Sequence, residues 1–426
     1  LYTSAKRSIP GEYSIRRQEV GRASVFGAAE YAKDGLISIT ELVNDSPWFW
    51  RMHEMMIDVM ELATVETKYG KIPAEDSELN GDLLQVLPRL YWKTGDFRFV
   101  EWNRRISDAY LLEILPKNGW LPVKDWSFKK QKGKGGAKLR DHGNETIVGL
   151  VLSYTMESLL NSDRVPLYRE AITKMMDRIL QSANPDGLLY NKIDTVTLKP
   201  LDEGLADNWG YIYGAVYNMY LLTGDERYRN AIDRVLTALP KYLNYPWEGE
   251  HYDGYADSIE SALYLVNRLP NQAASDWMDS EIKHIWKQQT KDGHSDRSYL
   301  QGNFIRTSLL YGLMKSKGLS SADWREGLGL GAVVEDKSLV IEILPPQGQA
   351  NWSGTIRFDS PRHREIYNLP KNFIRLNEFP EWYTVLPMKF YQLSGPTGQT
   401  PQLLLGAELT RGVKLSSGSW ILTPKD

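Results

Sequence analysis

The sequence predicts a mainly α fold, an (α/α)6 toroid of helical hairpins followed by a small C-terminal all-β domain. Apolar residues recur at helical spacing along most of the 426 residues, and the resulting helices come in pairs. Polar clusters precede the first helix of successive pairs at intervals of roughly 45–65 residues, as in helical-hairpin repeats. About six hairpins are predicted. Because no polar capping repeat stands at either end, a closed ring is favoured over an open solenoid.

Three segments are predicted along the chain. Residues 1–45 are interpreted as an N-terminal arm that packs across the main body, residues 46–327 as the toroid and residues 328–426 as a β-sandwich-like domain. The first strong helix is predicted near Trp48–Lys68, and a short last helix around Ser321–Glu326. The β candidates, short segments punctuated by Pro and Gly, are Leu339–Leu344, Thr355–Phe358, Phe373–Leu376, Trp382–Leu386 and Leu403–Leu405.

The turns between paired helices have a recurring sequence. Thr94-Gly95-Asp96 matches Thr223-Gly224-Asp225. Gly is expected to form the C-terminal turn of one helix and Asp to cap the next. The two turns therefore predict equivalent positions in two hairpins.

Composition excludes several classes of function. A net charge of −3 without a Lys/Arg stripe argues against a nucleic-acid surface, and no apolar run is long enough to span a bilayer. The absence of cysteine excludes disulfides, thiolate metal sites and cysteine nucleophiles. No phosphate loop or nucleotide fingerprint occurs in a fitting context, so no cofactor is predicted. A chain that begins without Met and lacks cysteine is expected to be periplasmic or secreted after removal of a signal segment.

The polar clusters, here called openers, are the candidate source of chemistry. They are Asp76–Asp82, Arg140–Glu145, Asp207–Tyr211, Asp253–Glu260 and, more weakly, Arg297–Asn303. A carboxylate at a helix start is often only a cap, and this alternative applies to Asp76, Asp207 and Asp253. A capping role does not explain a second acid one helical turn further on. These second acids are therefore the stronger candidates for catalysis.

The second-turn acids recur in three openers. Glu78 and Asp82, Asp141 and Glu145, and Asp253 and Asp257 are each four residues apart. This spacing places both carboxylates of a pair on one helix face, about 5–6 Å apart at Cβ. Repulsion between the two carboxylates slightly destabilises the helix, which indicates that the pair has a function. The alternative is that both acids lie on a solvent-exposed helix face.

Arg140–Glu145 is the densest opener and follows the Lys/Gly-rich segment 129–136. That segment is interpreted as a mobile lid, an anion-attracting rim or a solvated insertion. The acids around His142 favour its charged form, which makes it a possible proton donor. The histidines show no metal-ligand spacing, so no metal site is predicted.

The aromatic content, 14 Trp and 24 Tyr, suits a saccharide site because flat rings stack on sugar faces. Openers such as Asp207–Tyr211 and hairpin turns such as Tyr91–Asp96 resemble those of the (α/α)6-toroid carbohydrate-active enzymes. This group includes glucuronidases, unsaturated glucuronyl hydrolases and toroid polysaccharide lyases. The adjacent Asp-Asp pair of some unsaturated glucuronyl hydrolases is missing here, which argues against their vinyl-ether hydration mechanism.

The resemblance implies a glycoside hydrolase that cleaves a uronic-acid-containing or related oligo- or polysaccharide by carboxylate acid/base catalysis. Glu145 and Asp207 are the leading catalytic candidates, with Asp82, Asp141 and Asp257 in reserve. The predicted substrate-binding residues are His142, Asn144, Trp209, Tyr211, His251, Tyr255, Arg297 and Arg306. The alternatives are a polysaccharide lyase, in which Asn144, His142 or Arg neutralises the uronate and Tyr211, Tyr255 or His251 moves the proton, and a non-catalytic glycan-binding protein.

Overall fold

The computed structural model describes residues 25–425 except 45, 141, 251, 288, 291–300 and 397–398. The chain divides into two compact units. The helical unit contains the described residues up to 290 together with Ile366–Phe379, and the β unit contains the rest. This division differs from the predicted boundary at residue 328, because a helix before it belongs to the β unit and a segment after it belongs to the helical unit.

The described helices follow one another as hairpins, and the predicted mainly α class with smaller β sheets is confirmed. Helix α1 comprises residues 25–31, the π-helical Ala32–Leu36 and Ile37–Val43. The remaining long helices are α2 (Pro47–Glu61), α3 (Ser77–Thr94), α4 (Arg98–Asp108, extended by Ala109–Ile114 and Leu115–Lys117), α5 (His142–Leu159), α6 (Val165–Ser182), α7 (Trp209–Thr223), α8 (Glu226–Ala238), α9 (Tyr252–Val266), α10 (Gln272–Trp286) and α11 (Gln301–Ser316).

The inner helices of the helical unit are its odd-numbered ones. Helix α1 packs beside α3, α3 beside α5, α5 beside α7, and α7 beside α9. The repeated turns are as predicted, since Gly95 and Gly224 adopt φ of 71° and 72° and Asp225 accepts a hydrogen bond from the Arg227 amide. The N-terminal arm is in part an inner helix, because residues 25–43 form α1. Helix α2 ends earlier than predicted, at Glu61, where the chain turns into a hairpin.

Three small antiparallel sheets connect the helices of this unit. Their strands are β1 (Val65–Thr67) with β2 (Gly70–Ile72), β3 (Asp125–Ser127) with β4 (Lys132–Lys134), and β5 (Ala137–Lys138) with β6 (Tyr190–Ile193) and β7 (Pro200–Leu205). These strands have no clear signal in the sequence, because six of them have only two to four residues and β7 begins with Pro and contains Asp-Glu-Gly.

The segment Ile366–Phe379 closes the C-terminal ends of the inner helices. Arg375 is fully buried and pairs with Glu41 of α1 at 3.0 Å, while Arg89 of α3 donates to the Leu376 carbonyl at 2.6 Å. The Asn218 side chain of α7 bonds both backbone polar groups of Ile374. The strand predicted at Phe373–Leu376 is therefore wrong, because this backbone bonds side chains of the helices instead of a neighbouring strand.

The β unit contains α11, two short helices, α12 (Arg362–Glu365) and α13 (Gly406–Arg411), and two antiparallel sheets. One sheet has the order β13-β12-β15-β10-β9 and the other β14-β11-β8. The strands are β8 (Ser320–Ser321), β9 (Gly329–Glu335), β10 (Ser338–Leu344), β11 (Ser353–Arg357), β12 (Phe390–Ser394), β13 (Gln402–Leu405), β14 (Val413–Ser416) and β15 (Gly418–Pro424). Residues of both sheets, such as Ile341, Ile356 and Trp420, share one hydrophobic core.

Two further local predictions for this unit are wrong. The helix predicted around Ser321–Glu326 is absent from the described chain, because Ser320–Ser321 pairs with β11 and turns follow. Residues 382–386 form no strand and contribute only the isolated bridge between Asp359 and Thr384. Prolines at 380 and 387 limit the hydrogen bonds that this segment can make.

Gly81 allows the close packing of α3 against α5. A Cβ at this position would lie 2.6 Å from the Thr146 amide nitrogen and 2.8 Å from the Glu145 carbonyl carbon. Gly81→Ala is therefore expected to lower the free energy of unfolding by about 1–3 kcal/mol, measured by urea denaturation. Gly35→Ala in α1, where a Cβ meets nothing within 4 Å, is the control and should not destabilise. Equal stability of the two variants would contradict this packing role.

Candidate active site

Polar side chains collect at the N-terminal halves of the inner helices, opposite the end that Ile366–Phe379 closes. Asp76 caps α3, since its carboxylate accepts hydrogen bonds from the Glu78 and Leu79 amides at 3.0 and 3.2 Å. Asp207 has a different role, because Asn208 holds the N-cap position of α7. The structure thus separates a capping acid from an acid available for other interactions.

Lys33 of α1 joins two of the predicted catalytic carboxylates. Its ammonium lies 3.1 Å from Asp82 Oδ1 and 3.1 Å from Glu145 Oε1, and Asp34 Oδ1 is also at 3.1 Å. All but Asp34 are buried, with side-chain exposures of 8% for Lys33, 0% for Asp82 and 11% for Glu145. This group, Lys33, Asp82 and Glu145, is here called the lysine cluster.

Burial controls the protonation of the lysine cluster. Burial raises the pKa of Asp82 to about 7 although Lys33 opposes the shift, and it raises the pKa of Glu145 well above its ordinary value. Burial alone would lower the pKa of Lys33, but the Glu145, Asp82 and Asp34 carboxylates outweigh it and raise that pKa. One cation therefore faces two buried carboxyl groups, which favours a proton shared between them near neutral pH.

Arg140 forms a second charged group at the start of α5. Its Nε lies 3.2 Å from Asp207 Oδ1, and one of its terminal nitrogens pairs with Glu248. Asp207 is 2% exposed and also accepts a hydrogen bond from the Asn208 amide at 2.9 Å. A guanidinium and an amide donor both favour the ionised carboxylate at Asp207.

Glu248 reaches Arg140 from a strained loop. Glu248, Gly249 and Glu250 have φ of 50°, 68° and 68°, and such a conformation is unfavourable for the two glutamates. Strain of this kind persists where surrounding contacts hold it and is concentrated at functional sites. The loop therefore fixes the Glu248 carboxylate against the Arg140 guanidinium.

The aromatic openers lie deeper than expected for stacking platforms. The Tyr211 hydroxyl donates to Asp257 Oδ1 at 3.2 Å, which joins α7 to α9. Trp209 is fully buried with its ring edge-on to Tyr213. Tyr255 is 5% exposed and stacks on His284 with ring centroids 4.4 Å apart.

Several buried polar atoms at this end lack a hydrogen-bond partner among the residues that the structure describes. They are both amide atoms of Asn144, Glu145 Oε2, Asp82 Oδ2, Asn208 Oδ1 and Trp209 Nε1. Leaving such a group unsatisfied costs about 1–3 kcal/mol, so a ligand or water is expected to satisfy these atoms. Their position at the starts of α3, α5 and α7 identifies this end as the candidate site.

The structure brings together Asp82 and Glu145 around Lys33, Asp207 around Arg140, and Tyr211 with Asp257. Asn144 lies beside Glu145 in the first turn of α5. Asp141, His251 and Arg297 lie outside the described residues, as does the side chain of His142. Arg306 belongs to α11 in the β unit. The roles predicted for these five residues remain predictions.

Two residues of the site were missed by the sequence analysis. Lys33 lies in the segment interpreted as an arm, and its partner Glu145 is 112 residues away. Glu248 lies in a loop without helical periodicity. The sequence signal for Lys33 is its position directly after Ala28–Ala32, an Ala-rich stretch with helical spacing that indicates a buried helix.

The lysine-rich segment 129–136 contributes to a hairpin, formed by β3 and β4. Lys130, Lys132 and Lys134 line a cavity of about 1170 Å³ beside the N-terminus of α3. Acids also line it, among them Glu75 and Asp125. Because its lining includes no member of the lysine cluster, we assign the candidate site to the buried charges and not to this cavity.

The described part of the chain shows neither a metal-binding cluster nor a membrane-spanning helix. There, no group of three or more His, Asp or Glu side chains is arranged to hold a metal ion. Among the same residues, no helix is long and apolar enough to cross a membrane.

No protein-family model and no curated protein matches this chain. Among solved structures, it is similar to an unsaturated glucuronyl hydrolase specific for heparin, with 13% identity, a TM-score of 0.43 and coverage of 62% of this chain and 73% of that one. A cellobiose 2-epimerase from Bacillus thermoamylovorans has 6% identity, a TM-score of 0.48 and coverages of 64% and 78%. A family 76 glycoside hydrolase from a bovine Bacteroides thetaiotaomicron strain has 13% identity, a TM-score of 0.46 and coverages of 68% and 68%. At these values, no substrate or catalytic residue is transferred to this chain.

Proposed function

We propose that the helical unit hydrolyses glycosidic bonds, with Glu145 as the general acid and Asp207 as the base or nucleophile. The observation that carries this proposal is the contrast between two carboxylate environments at the starts of adjacent inner helices. Glu145 and Asp82 share one buried ammonium, whereas Asp207 has a guanidinium and an amide donor. Opposite environments of this kind assign an acid and a base.

Glu145 is preferred over Asp82 as the proton donor because of access. The Asp82 side chain is fully buried, whereas the Glu145 side chain keeps 11% of its surface exposed. Asp82 then acts as the partner that shares the proton and keeps the pair protonated near pH 7. Asp257, held by Tyr211, remains a reserve candidate.

Arg140 places Asp207 near the start of α5, the helix that carries Glu145. Arg140 lies just before α5, whose first turn contains Glu145, and it contacts Asp207 just before α7. The two carboxyl groups therefore lie at the same ends of neighbouring helices.

The reaction follows from these assignments. The Glu145 proton moves to the glycosidic oxygen as its bond to the anomeric carbon breaks, while Asp207 either removes a proton from the attacking water or attacks that carbon itself. The anomer formed first, observed by proton NMR, distinguishes inversion from retention.

The lyase alternative is less well supported by the contacts of its candidate bases. Tyr211 uses its hydroxyl proton to bond Asp257, and burial raises the pKa of Tyr255, which makes its phenolate harder to form. A uronate substrate was predicted with Arg297 and Arg306 as its partners. Arg297 lies outside the described residues and Arg306 belongs to the β unit, so this role stays a prediction.

The test is a screen of polysaccharides and oligosaccharides with two readouts, reducing ends and ultraviolet absorbance of an unsaturated product. We expect new reducing ends without an increase in absorbance. An increase in absorbance would assign a lyase. Saturable glycan binding without turnover would assign a non-catalytic binding protein.

A further inference from the structure

Both cations described in the candidate site are outnumbered by their carboxylate partners. Lys33 lies within 3.1 Å of Asp34, Asp82 and Glu145. Arg140 is shared between Asp207 and Glu248. A shared proton offsets part of this excess at the lysine cluster, but Arg140 still faces two carboxylates. Neither cation is available to a carboxylate of a substrate.

Further acids lie around these groups. Asp257 stands on the neighbouring helix α9, and Glu30 of α1 is close enough to Asp34 and Glu78 for their charges to act on it. Among the described residues named here, carboxyl groups therefore outnumber cations. An anionic sugar would meet like charges here, and like charges brought together in a water-poor site repel strongly.

We propose that the sugar bound beside Glu145 and Asp207 is an uncharged hexosyl residue and not a uronate. This inference rests on the proposed function and deepens it. The negative charge also suits the reaction, because the transition state of glycoside cleavage carries positive charge at the anomeric carbon and neighbouring oxygen.

The unpartnered polar atoms agree with a neutral ligand. Asn144 is 0% exposed, and neither its amide nitrogen nor its oxygen has a hydrogen-bond partner among the described residues. A sugar hydroxyl both donates and accepts, so one or two hydroxyls satisfy this amide and the free Glu145 Oε2. A uronate carboxylate only accepts hydrogen bonds and offers no donor to the Glu145 and Asp82 carboxylate oxygens.

The test uses pairs of polymers that differ only in charge. A uronate polysaccharide and its carboxyl-reduced form, in which each uronic acid has become the neutral hexose, share linkage and ring stereochemistry. Across several such pairs, we expect the full chain to bind and hydrolyse the neutral member with kcat/KM at least about tenfold above that of the uronate member. The preference should weaken at high salt because screening reduces the repulsion.

A variant that removes one charge tests whether the preference for the neutral polymer arises at the candidate site. Glu248→Gln removes one of the two acids on Arg140 and is expected to reduce the discrimination against the uronate member. Glu170→Gln changes the same charge on the exposed face of α6, where Glu170 pairs with Lys174 at 2.7 Å, and should leave the discrimination unchanged.

The outcomes separate this inference from the proposed function. Hydrolysis of the uronate member as fast as, or faster than, the neutral one would overturn the substrate class and keep the hydrolase. Tight binding of the neutral member by calorimetry without turnover would contradict the hydrolase and keep the substrate class. Binding of neither member would overturn both.

Discussion

Glu145→Gln is expected to lower kcat by about 10²–10⁴-fold while the chain still folds, because the amide cannot donate the proton that the leaving oxygen needs. KM should change little, since Gln keeps the shape of the side chain and one acceptor oxygen. The measurement is steady-state hydrolysis of the best substrate from the polysaccharide screen, with folding checked by circular dichroism and urea denaturation.

The pH profile identifies the role of Glu145. In the wild-type enzyme, Glu145 must hold its proton, so activity is present at lower pH and is lost as pH rises through the pKa of Glu145, which burial raises well above its ordinary value. Glu145→Gln should remove this alkaline limb from its residual activity. Asp207→Asn should lower kcat as strongly but keep the limb, because it affects the base or nucleophile.

Glu157→Gln provides the matched control for Glu145→Gln. Glu157 lies on the same helix, is fully buried and forms two hydrogen bonds with Arg104, at 2.8 and 2.9 Å. Its amide variant tests whether the loss of any buried acid of α5 abolishes activity, and we expect lower stability with kcat retained. A similar loss of kcat in both variants, or full activity of Glu145→Gln, would contradict the assignment.

The sequence predicted the helical elements well because their determinants are local. The turns around Gly95 and Gly224 and the apolar periods of α3, α5 and α7 are contained within a few residues of each other. Glu145 and Asp207 were selected for the same reason, because each stands in a dense polar opener at a helix start. Their grouping at one end of the helical unit follows from the hairpin repeat.

The remaining features depend on contacts between distant parts of the chain. The role of Lys33 depends on carboxylates of α3 and α5. The role of Arg375 depends on Glu41 of α1, which lies 334 residues earlier in the chain. The short, mostly apolar segment Phe373–Leu376 indicates a strand locally, yet the inner helices provide side-chain partners that replace a neighbouring strand. The position of Glu248 depends on a backbone conformation that its residue type does not favour.

Lys33→Met is expected to lower the free energy of unfolding by about 3–5 kcal/mol at pH 8, because it leaves two buried carboxyl groups without their cation. The effect should be smaller at pH 5. With the ammonium gone, burial and mutual repulsion keep the folded-state pKa values of Asp82 and Glu145 above their unfolded values. The stability of the protonated pair is then complete below about pH 4 and is lost as pH rises through the folded-state values. Urea denaturation followed by tryptophan fluorescence at the two pH values measures the difference.

Two further variants show whether this loss arises in the lysine cluster. Lys71→Met removes the lysine of an exposed pair with Glu66 in the β1–β2 hairpin and should have no measurable effect at either pH. Asp82→Asn added to Lys33→Met removes one of the two stranded carboxyl groups, so the double variant should be more stable than Lys33→Met at pH 8. This coupling requires the two residues to interact directly, as their 3.1 Å separation indicates. A loss that is equal at pH 5 and pH 8, or that Asp82→Asn does not relieve, would mean that Lys33 acts through packing and does not set the protonation of the Asp82–Glu145 pair.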